Sequence, residues 1–164
     1  MRALFIVVFA AACAAPPDDT VCLKSTIEPD LSALVWQGPG LVNGAIPPGQ
    51  YVVAATYLKG KAEGFDTFQK VLVPLIDALP KTDGVLGFAT MNSSACFTAR
   101  TLSVWRDEAA MFKFVASPAH AAAMSKGSQI SRGGSLTTHW ADTEAGATLA
   151  KSAQMLGEDT GSTF

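Results

Sequence analysis

The alternation of apolar and polar positions becomes regular at Gln50. Residues 51–58 are rich in β-branched and aromatic side chains and are apolar on both faces, which predicts a buried strand. Apolar residues then recur at steps of three and four, which predicts an amphipathic helix that Pro74 kinks or restarts, because proline has no backbone hydrogen to donate. The apolar positions of this helix are Phe65, Phe68, Leu72, Leu75, Ile76 and Leu79.

Three more strands and a second helical region follow. Strands are predicted at 84–91 and 100–105, and the short polar turn between them favours an antiparallel hairpin. Asp107 is expected to cap a helix, Ser117 to cap its continuation, and residues 135–140 to form a last strand. The order β-α-β-β-α-β predicts the ferredoxin-like α+β fold, a four-stranded antiparallel sheet with both helices on one face.

This architecture leaves one face of the predicted sheet without a helical layer. The first predicted strand is apolar on both faces, so the uncovered face would be an exposed apolar surface. A second copy of the chain is the simplest cover, and we therefore expect a homodimer in which two sheets form one α/β barrel.

Segments of different character flank this domain, which we assign to residues 50–142. Residues 21–49 are interrupted by Gly-Pro and Pro-Gly turns too often for a long element, which predicts an irregular arm wrapped around the domain. Residues 143–164 are predicted to form a further helix and a frayed tail.

The N-terminus has the pattern of a targeting segment. Residues 1–12 carry one positive charge and an apolar run that is too short to span a bilayer, which is typical of a signal peptide. Cys13 follows three alanines, and this resembles the lipobox of bacterial lipoproteins. Residues 13–20 would then be a lipidated cysteine and its tether, and the protein would be exported and anchored to a bacterial membrane on the periplasmic or outer-membrane side. The alternative is ordinary signal cleavage, with Cys13 incidental.

Two cysteines remain after Cys13. In an oxidising compartment Cys22 and Cys96 are expected to form a disulfide that joins the arm to the domain. Closing so long a loop would stabilise the fold by up to about 4 kcal/mol. The alternative is two buried free thiols.

Composition and motifs exclude several classes of function. The chain is 49% apolar with a net charge of −2 and no basic block, which excludes a nucleic-acid-binding surface. It has no phosphate-binding loop, dinucleotide fingerprint, nucleophile elbow or Cys-x-x-Cys pair, so we expect no cofactor.

Histidines are the main candidates for chemistry. His120 and Met124 lie one helical turn apart and share a face, so His120 is either a general base or ligand contact, or a packed histidine bonded to the backbone. His139 and Trp140 alternate along a strand and point to opposite faces. No acidic residue stands beside the histidines at metal-ligand spacing, which argues against a zinc site. Trp105 is expected to fill the core or a pocket wall, and Tyr51, Tyr57 and Arg100 are candidate polar groups of a pocket.

Residues 101–120 resemble the dimeric α/β-barrel proteins of the antibiotic biosynthesis monooxygenase superfamily. The narrower resemblance is to a family of unknown function with Ser-Val-Trp at a strand end, an acidic cap and a Phe-Val pair followed by histidine, matched here by Phe114, Val115 and His120. The segment Thr138-His139-Trp140 is similar to the closing strand of that family.

The resemblance implies a range of activities, from cofactor-free oxygenases to heme-degrading enzymes, isomerases and dismutases. Heme-degrading members have a tryptophan and a heme-ligating histidine where this chain has Phe114 and Met124, which argues against heme degradation. We therefore expect either a module that binds a small apolar or aromatic molecule without turnover, or a cofactor-independent monooxygenase or isomerase. In the enzyme, His120 would be the general base, assisted by His139 or a tyrosine.

Overall fold

A computed structural model describes residues 19–31, 33–62 and 65–161, with backbone alone at 65, 66 and 69. The predicted signal peptide, Cys13 and most of the predicted tether lie outside the described residues. Within the described part of the chain, no helix is long and apolar enough to cross a membrane.

Four antiparallel strands form one sheet, which confirms the predicted ferredoxin-like fold. The strands are β1 (Gln50–Lys59), β2 (Val85–Ser93), β3 (Thr98–Trp105) and β4 (Leu136–Thr143), in the spatial order β2-β3-β1-β4. The central strands are β1, which pairs with β3 and β4, and β3, which pairs with β1 and β2. Each strand is apolar at alternate positions on at least one face, which fixes which side chains point toward the helices.

Among the residues that the structure describes, five α-helices accompany the sheet, and side-chain caps by Asp107, Ser117 and Thr148 set where three of them begin. The Asp107 carboxylate accepts a hydrogen bond from the Ala110 amide at 2.8 Å, and the Ser117 hydroxyl accepts one from the His120 amide at 3.3 Å. The first helix continues through Pro74 as one element. The helices are α1 (Phe65–Ala78), α2 (Glu108–Val115), α3 (Pro118–Met124), α4 (Gly127–Ile130) and α5 (Leu149–Glu158).

One face of the sheet, here called the helix face, packs against α1 and α2. Its core contains Trp105 and Phe88 from the strands, with Met111 and Phe114 from α2. Met111 and Phe114 of α2 are buried in this contact, whereas Val115 at the end of the same helix is 41% exposed.

The opposite face of the sheet, here called the arm face, is buried by the chain itself. Its central side chains, Val53, Ala55, Tyr57, Leu102 and Val104, are at most 1% exposed. The residues that pack over them are Leu34, Trp36, Leu41 and Ile46 of the arm (residues 21–49) and Met155 and Leu156 of α5.

This cover corrects the reasoning behind the expected homodimer. That expectation required an open apolar sheet face, and the arm and α5 occupy the place that a second copy would take. The expectation of an open face is wrong because the segments outside the β-α-β-β-α-β unit are not peripheral, since their apolar residues complete the core.

A buried ion pair and a disulfide attach the arm to the sheet. The Arg100 guanidinium, 2% exposed, donates to the Glu28 carboxylate at 2.7 Å and to the backbone carbonyls of Leu23, Lys24 and Thr26. The remaining Glu28 oxygen accepts a hydrogen bond from the Thr98 hydroxyl at 2.6 Å, so both charges are compensated.

The disulfide joins Cys22 of the arm to Cys96 of the β2–β3 turn, with the two Cα atoms 5.6 Å apart. This is the pairing that the sequence predicts, and it lies close to the ion pair because the Tyr57 hydroxyl beneath Arg100 donates to the Cys22 carbonyl at 2.7 Å. The arm is therefore held by covalent, ionic and apolar contacts together.

Candidate functional site

A cavity of about 330 Å³ lies between the helix face and the helices. This volume falls near the lower end of the range for small-molecule sites. Five of the predicted site residues line it, which places the chemistry suggested by the sequence in one space. They are Trp105, Phe114, His120, Met124 and His139.

Short side chains on the sheet leave room for this cavity. Ala54, Thr56 and Ser103 line the cavity from the middle of the helix face, where longer side chains would fill the space. The cavity wall opposite the sheet is built by Leu72, Leu75 and Ile76 of α1, Leu79 just after it, Met111, Phe112, Phe114 and Val115 of α2, and Met124 of α3.

His120 stands in the first turn of α3 and is half-buried at the cavity wall. The Phe114 ring contacts its imidazole edge-on, with ring centroids 5.6 Å apart. Burial lowers the pKa of His120 below its ordinary value, although a hydrogen bond with the Val115 carbonyl opposes this shift. The imidazole is therefore neutral at neutral pH, and a neutral imidazole bonded through one nitrogen keeps the other as a proton acceptor.

His139 lies on the edge strand β4 and is more exposed than His120. Its Nε2 atom is 3.7 Å from a carboxylate oxygen of Glu108, and its ring contacts Phe112 with centroids 5.5 Å apart. The two histidines thus enter the same cavity from different elements, one from a helix and one from the sheet.

Trp105 forms part of the cavity wall but is only 1% exposed. Its indole nitrogen donates to the Ser103 hydroxyl at 2.9 Å, and its ring packs against Phe114 with centroids 5.4 Å apart. These contacts fit the alternative in which Trp105 fills the core between strand and helix.

Tyr57, a predicted ligand-binding residue, does not line this cavity. It points to the arm face, where burial raises its pKa to about 12 and its hydroxyl bonds the arm. Arg100 lies beside it in the ion pair with Glu28. The other candidate polar group, Tyr51, donates to the Pro47 carbonyl at 3.0 Å. None of these three residues lines the cavity.

The sequence analysis missed a set of hydroxyl groups on the cavity floor. Thr90, Thr101, Thr56 and Thr137, here called the threonine row, all line the cavity. The available signal was a polar residue at a helix-facing position in each of the four strands. Its meaning depends on strand register, which the sequence alone did not supply.

Charged groups are absent from the described cavity lining. A larger, open depression of about 590 Å³ near the start of β2 is lined by Arg106 and Asp83, but these two pair with each other at 3.2 Å. Among the residues that the structure describes, no cluster of three or more histidine, cysteine, aspartate or glutamate side chains could hold a metal ion.

The fold and the site together define the class of protein. A four-stranded antiparallel sheet carries helices on one face, and a mainly apolar cavity with two histidines lies between the layers. This is the ferredoxin-like α+β fold that the resemblance implied.

A comparison with known protein families gives a match in the central part of the chain. Residues 51–126 match the model of the family described as antibiotic biosynthesis monooxygenase. The match extends from β1 to just beyond α3, which confirms the broad resemblance; the narrower resemblance to a family of unknown function is not established by the match. The arm and α5 lie outside the matched residues. No curated protein matches the sequence.

Solved structures support the same fold. The Rv0793 protein of Mycobacterium tuberculosis is similar with a TM-score of 0.52 and 12% identity, over 55% of this chain and 92% of that one. Protein SO0527 of Shewanella oneidensis gives 0.53 and 13%, over 59% and 96%. A conserved protein of Methanosarcina mazei gives 0.51 and 14%, over 55% and 90%. At these identities the likeness concerns the fold alone.

Proposed function

We propose that this protein binds a small, mainly apolar molecule in the cavity between its sheet and its helices, without a requirement for turnover. The observation that carries the proposal is the cavity itself, which is walled by aliphatic and aromatic side chains and has a few polar groups that could orient a ligand. Burial of apolar ligand surface in such a space is favourable in proportion to the area removed from water.

Titration with Prodan, an uncharged naphthalene fluorophore, tests this proposal. Wild-type protein should bind the probe with a blue-shifted emission. Ala54→Leu, which adds side-chain volume to the cavity floor, should weaken binding about tenfold or more. Ala141→Leu is the matched control, because Ala141 is exposed on the neighbouring strand and does not line the cavity. Equal binding by both variants would refute the cavity as the site.

Native mass spectrometry of protein purified from its source extends the test to the natural ligand. A retained small molecule that is absent from the Ala54→Leu variant would support the proposal. A retained heme would contradict the argument made from Phe114 and Met124.

A second candidate function is cofactor-independent oxygenation or isomerisation with His120 as general base. The observation in its favour is the depressed pKa of His120, which keeps a proton acceptor at the cavity wall. No second polar side chain bonds the His120 ring among the described residues, and for this reason we place binding first. If the protein is an enzyme, His120→Gln should abolish turnover of a bound substrate while Prodan still binds. Loss of both together would indicate a packing role.

We also propose that the protein acts outside the cytoplasm, attached to a bacterial membrane through a lipidated Cys13. The disulfide between Cys22 and Cys96 supports export, because such bonds persist in oxidising compartments. Labelling with radioactive palmitate and membrane fractionation provide the test. Wild type should be labelled and sediment with membranes, whereas Cys13→Ser should be unlabelled and released. An unlabelled wild-type protein would favour simple signal cleavage.

A further inference from the structure

The threonine row crosses the whole sheet at one level. Thr90 lies opposite Thr101, Thr101 opposite Thr56, and Thr56 opposite Thr137, so each strand contributes one member. Side chains of registered neighbours point to the same face, and adjacent strands lie about 4.8 Å apart. The row therefore places one threonine side chain from each strand along the cavity floor, perpendicular to the strands.

The members of the row differ in their hydrogen bonding. The hydroxyls of Thr56 and Thr137 bond each other at 2.9 Å. Nearby Ser103 is also occupied, because it accepts from Trp105 and contacts the Ala54 carbonyl.

Thr90 and Thr101 are half-buried in the same row, and neither side-chain hydroxyl has a hydrogen-bonding partner within the part of the chain that the structure describes. Each hydroxyl can donate one hydrogen bond and accept two. A purely apolar ligand would cover these groups without replacing their bonds to water, which costs about 1–3 kcal/mol per group. A ligand with matching polar atoms avoids that cost.

The opposite wall and the lining as a whole restrict the ligand further. The helices present only apolar side chains and His120 to the cavity, and no aspartate, glutamate, lysine or arginine lines it in the described residues. An ionised ligand would lose its hydration without gaining a counter-charge, which is strongly unfavourable. The lining therefore fits a neutral ligand with one polar edge and one apolar face.

We infer, on the basis of the proposed function, that Thr90 and Thr101 select an uncharged molecule that lies across the strands with hydroxyl or carbonyl oxygens along the edge facing the sheet. The apolar face of the same molecule packs against α1 and α2. The two threonines are specificity-determining residues, because apolar burial alone does not distinguish a polar edge from a methylated one.

Two probes of matched shape test the inference by isothermal titration calorimetry. One is a naphthalene with two hydroxyl groups meta to each other on one edge. The other is the analogue with methyl groups at the same positions. Wild type should prefer the dihydroxy probe. Thr90→Val and Thr101→Val should each weaken the dihydroxy probe about threefold to tenfold, since each removes one hydrogen bond, and should leave the dimethyl probe unchanged or tighter.

Thr143→Val is the control, because Thr143 is a half-buried residue of β4 that does not line the cavity. It should change neither affinity. The valine variants should melt like wild type, because valine suits a strand. Equal preference of wild type for both probes, or equal losses for both probes in the valine variants, would overturn the inference while the proposed binding function stands. Failure of wild type to bind either probe or Prodan would remove the proposed function, and the inference with it.

Discussion

The two faces of the sheet are built from the same four strands but differ in how they are covered. On the arm face, Val53, Leu102 and Val104 are fully buried by segments that lie outside the family match. On the helix face, residues one position away along the same strands, such as Ala54, Thr101 and Ser103, border a cavity. The alternation of side chains along a strand therefore separates a sealed side of the molecule from one with unfilled space.

This difference separates stability from binding. The arm face combines close packing with an ion pair and a disulfide, so changes there should cost folding free energy. The helix face tolerates a void and exposes Phe112 and Met124 near its opening, 50% and 41% exposed respectively. Changes on the cavity floor should therefore affect ligands more than folding. Proteins of this fold are commonly homodimers, and in this chain the arm and α5 seal a sheet face that we had expected a second copy to cover.

Breaking the buried ion pair should have the largest effect. Arg100→Ala leaves the Glu28 carboxylate buried without a counter-charge, and we expect a loss of about 3–5 kcal/mol in unfolding free energy, measured with urea. Arg106→Ala removes an exposed guanidinium at the other end of β3 and should change little. Similar losses for both variants would contradict the role assigned to the arm.

Removing the disulfide should have the next largest effect. A variant with both Cys22→Ser and Cys96→Ser should lose about 2–4 kcal/mol of unfolding free energy. Without the bond, the unfolded chain regains the conformational entropy that closing this long loop had removed. Reducing agent should destabilise wild type by a similar amount and leave the double variant unaffected. A wild-type protein indifferent to reducing agent would show that the arm is held without the bond.

Two neighbouring residues of β3 compare the faces directly. Leu102→Ala should cost about 2–5 kcal/mol, because it leaves a cavity in the sealed core. Thr101→Ala should cost less than about 1 kcal/mol, since its side chain borders space that is already open. Urea unfolding of the two variants measures the contrast, and a reversal of this order would invalidate the comparison.

The smallest effect should be a pH dependence that arises from His120. The unfolded imidazole takes up a proton near its ordinary pKa of 6.5, whereas the folded one does so at lower pH because it is buried. Its contribution to stability is thus fully present above 6.5 and is lost as pH falls through the lower pKa of the folded state. Urea unfolding of wild type above pH 6.5 and below the pKa of the folded imidazole should show this loss of unfolding free energy. His120→Gln should remove the part of the pH dependence that comes from this imidazole. An identical pH dependence in both proteins would contradict the burial of this ring.

Local features of the fold were predictable from the sequence. The strand predicted at residues 51–58 lies within β1, which extends one residue further at each end, and Asp107 caps α2 through the Ala110 amide as its position suggested. These features depend on side-chain alternation and on contacts three residues apart, which a linear pattern contains. The same reasoning placed His120 and Met124 on one helix face, and both line the cavity.

The candidate site was predictable only in part. Tyr57 was assigned to the pocket although it faces the arm, because residues 51–58 are apolar on both faces and the pattern gave no preference. The threonine row needs three strand registers to be known at once. A shift of one residue in any of them would turn its threonine to the opposite face.

By itself, the amino-acid sequence determined the order of elements and the ferredoxin-like class, and it predicted that Cys22 and Cys96 pair. The tertiary structure decided that the arm and α5 cover the sheet, that Arg100 and Glu28 meet across 72 positions, and that four threonines align beneath a cavity. The physical reason is the separation along the chain over which each interaction acts. Hydrophobic alternation and capping act between near neighbours, whereas burial and charge pairing depend on which distant segments come together when the chain folds.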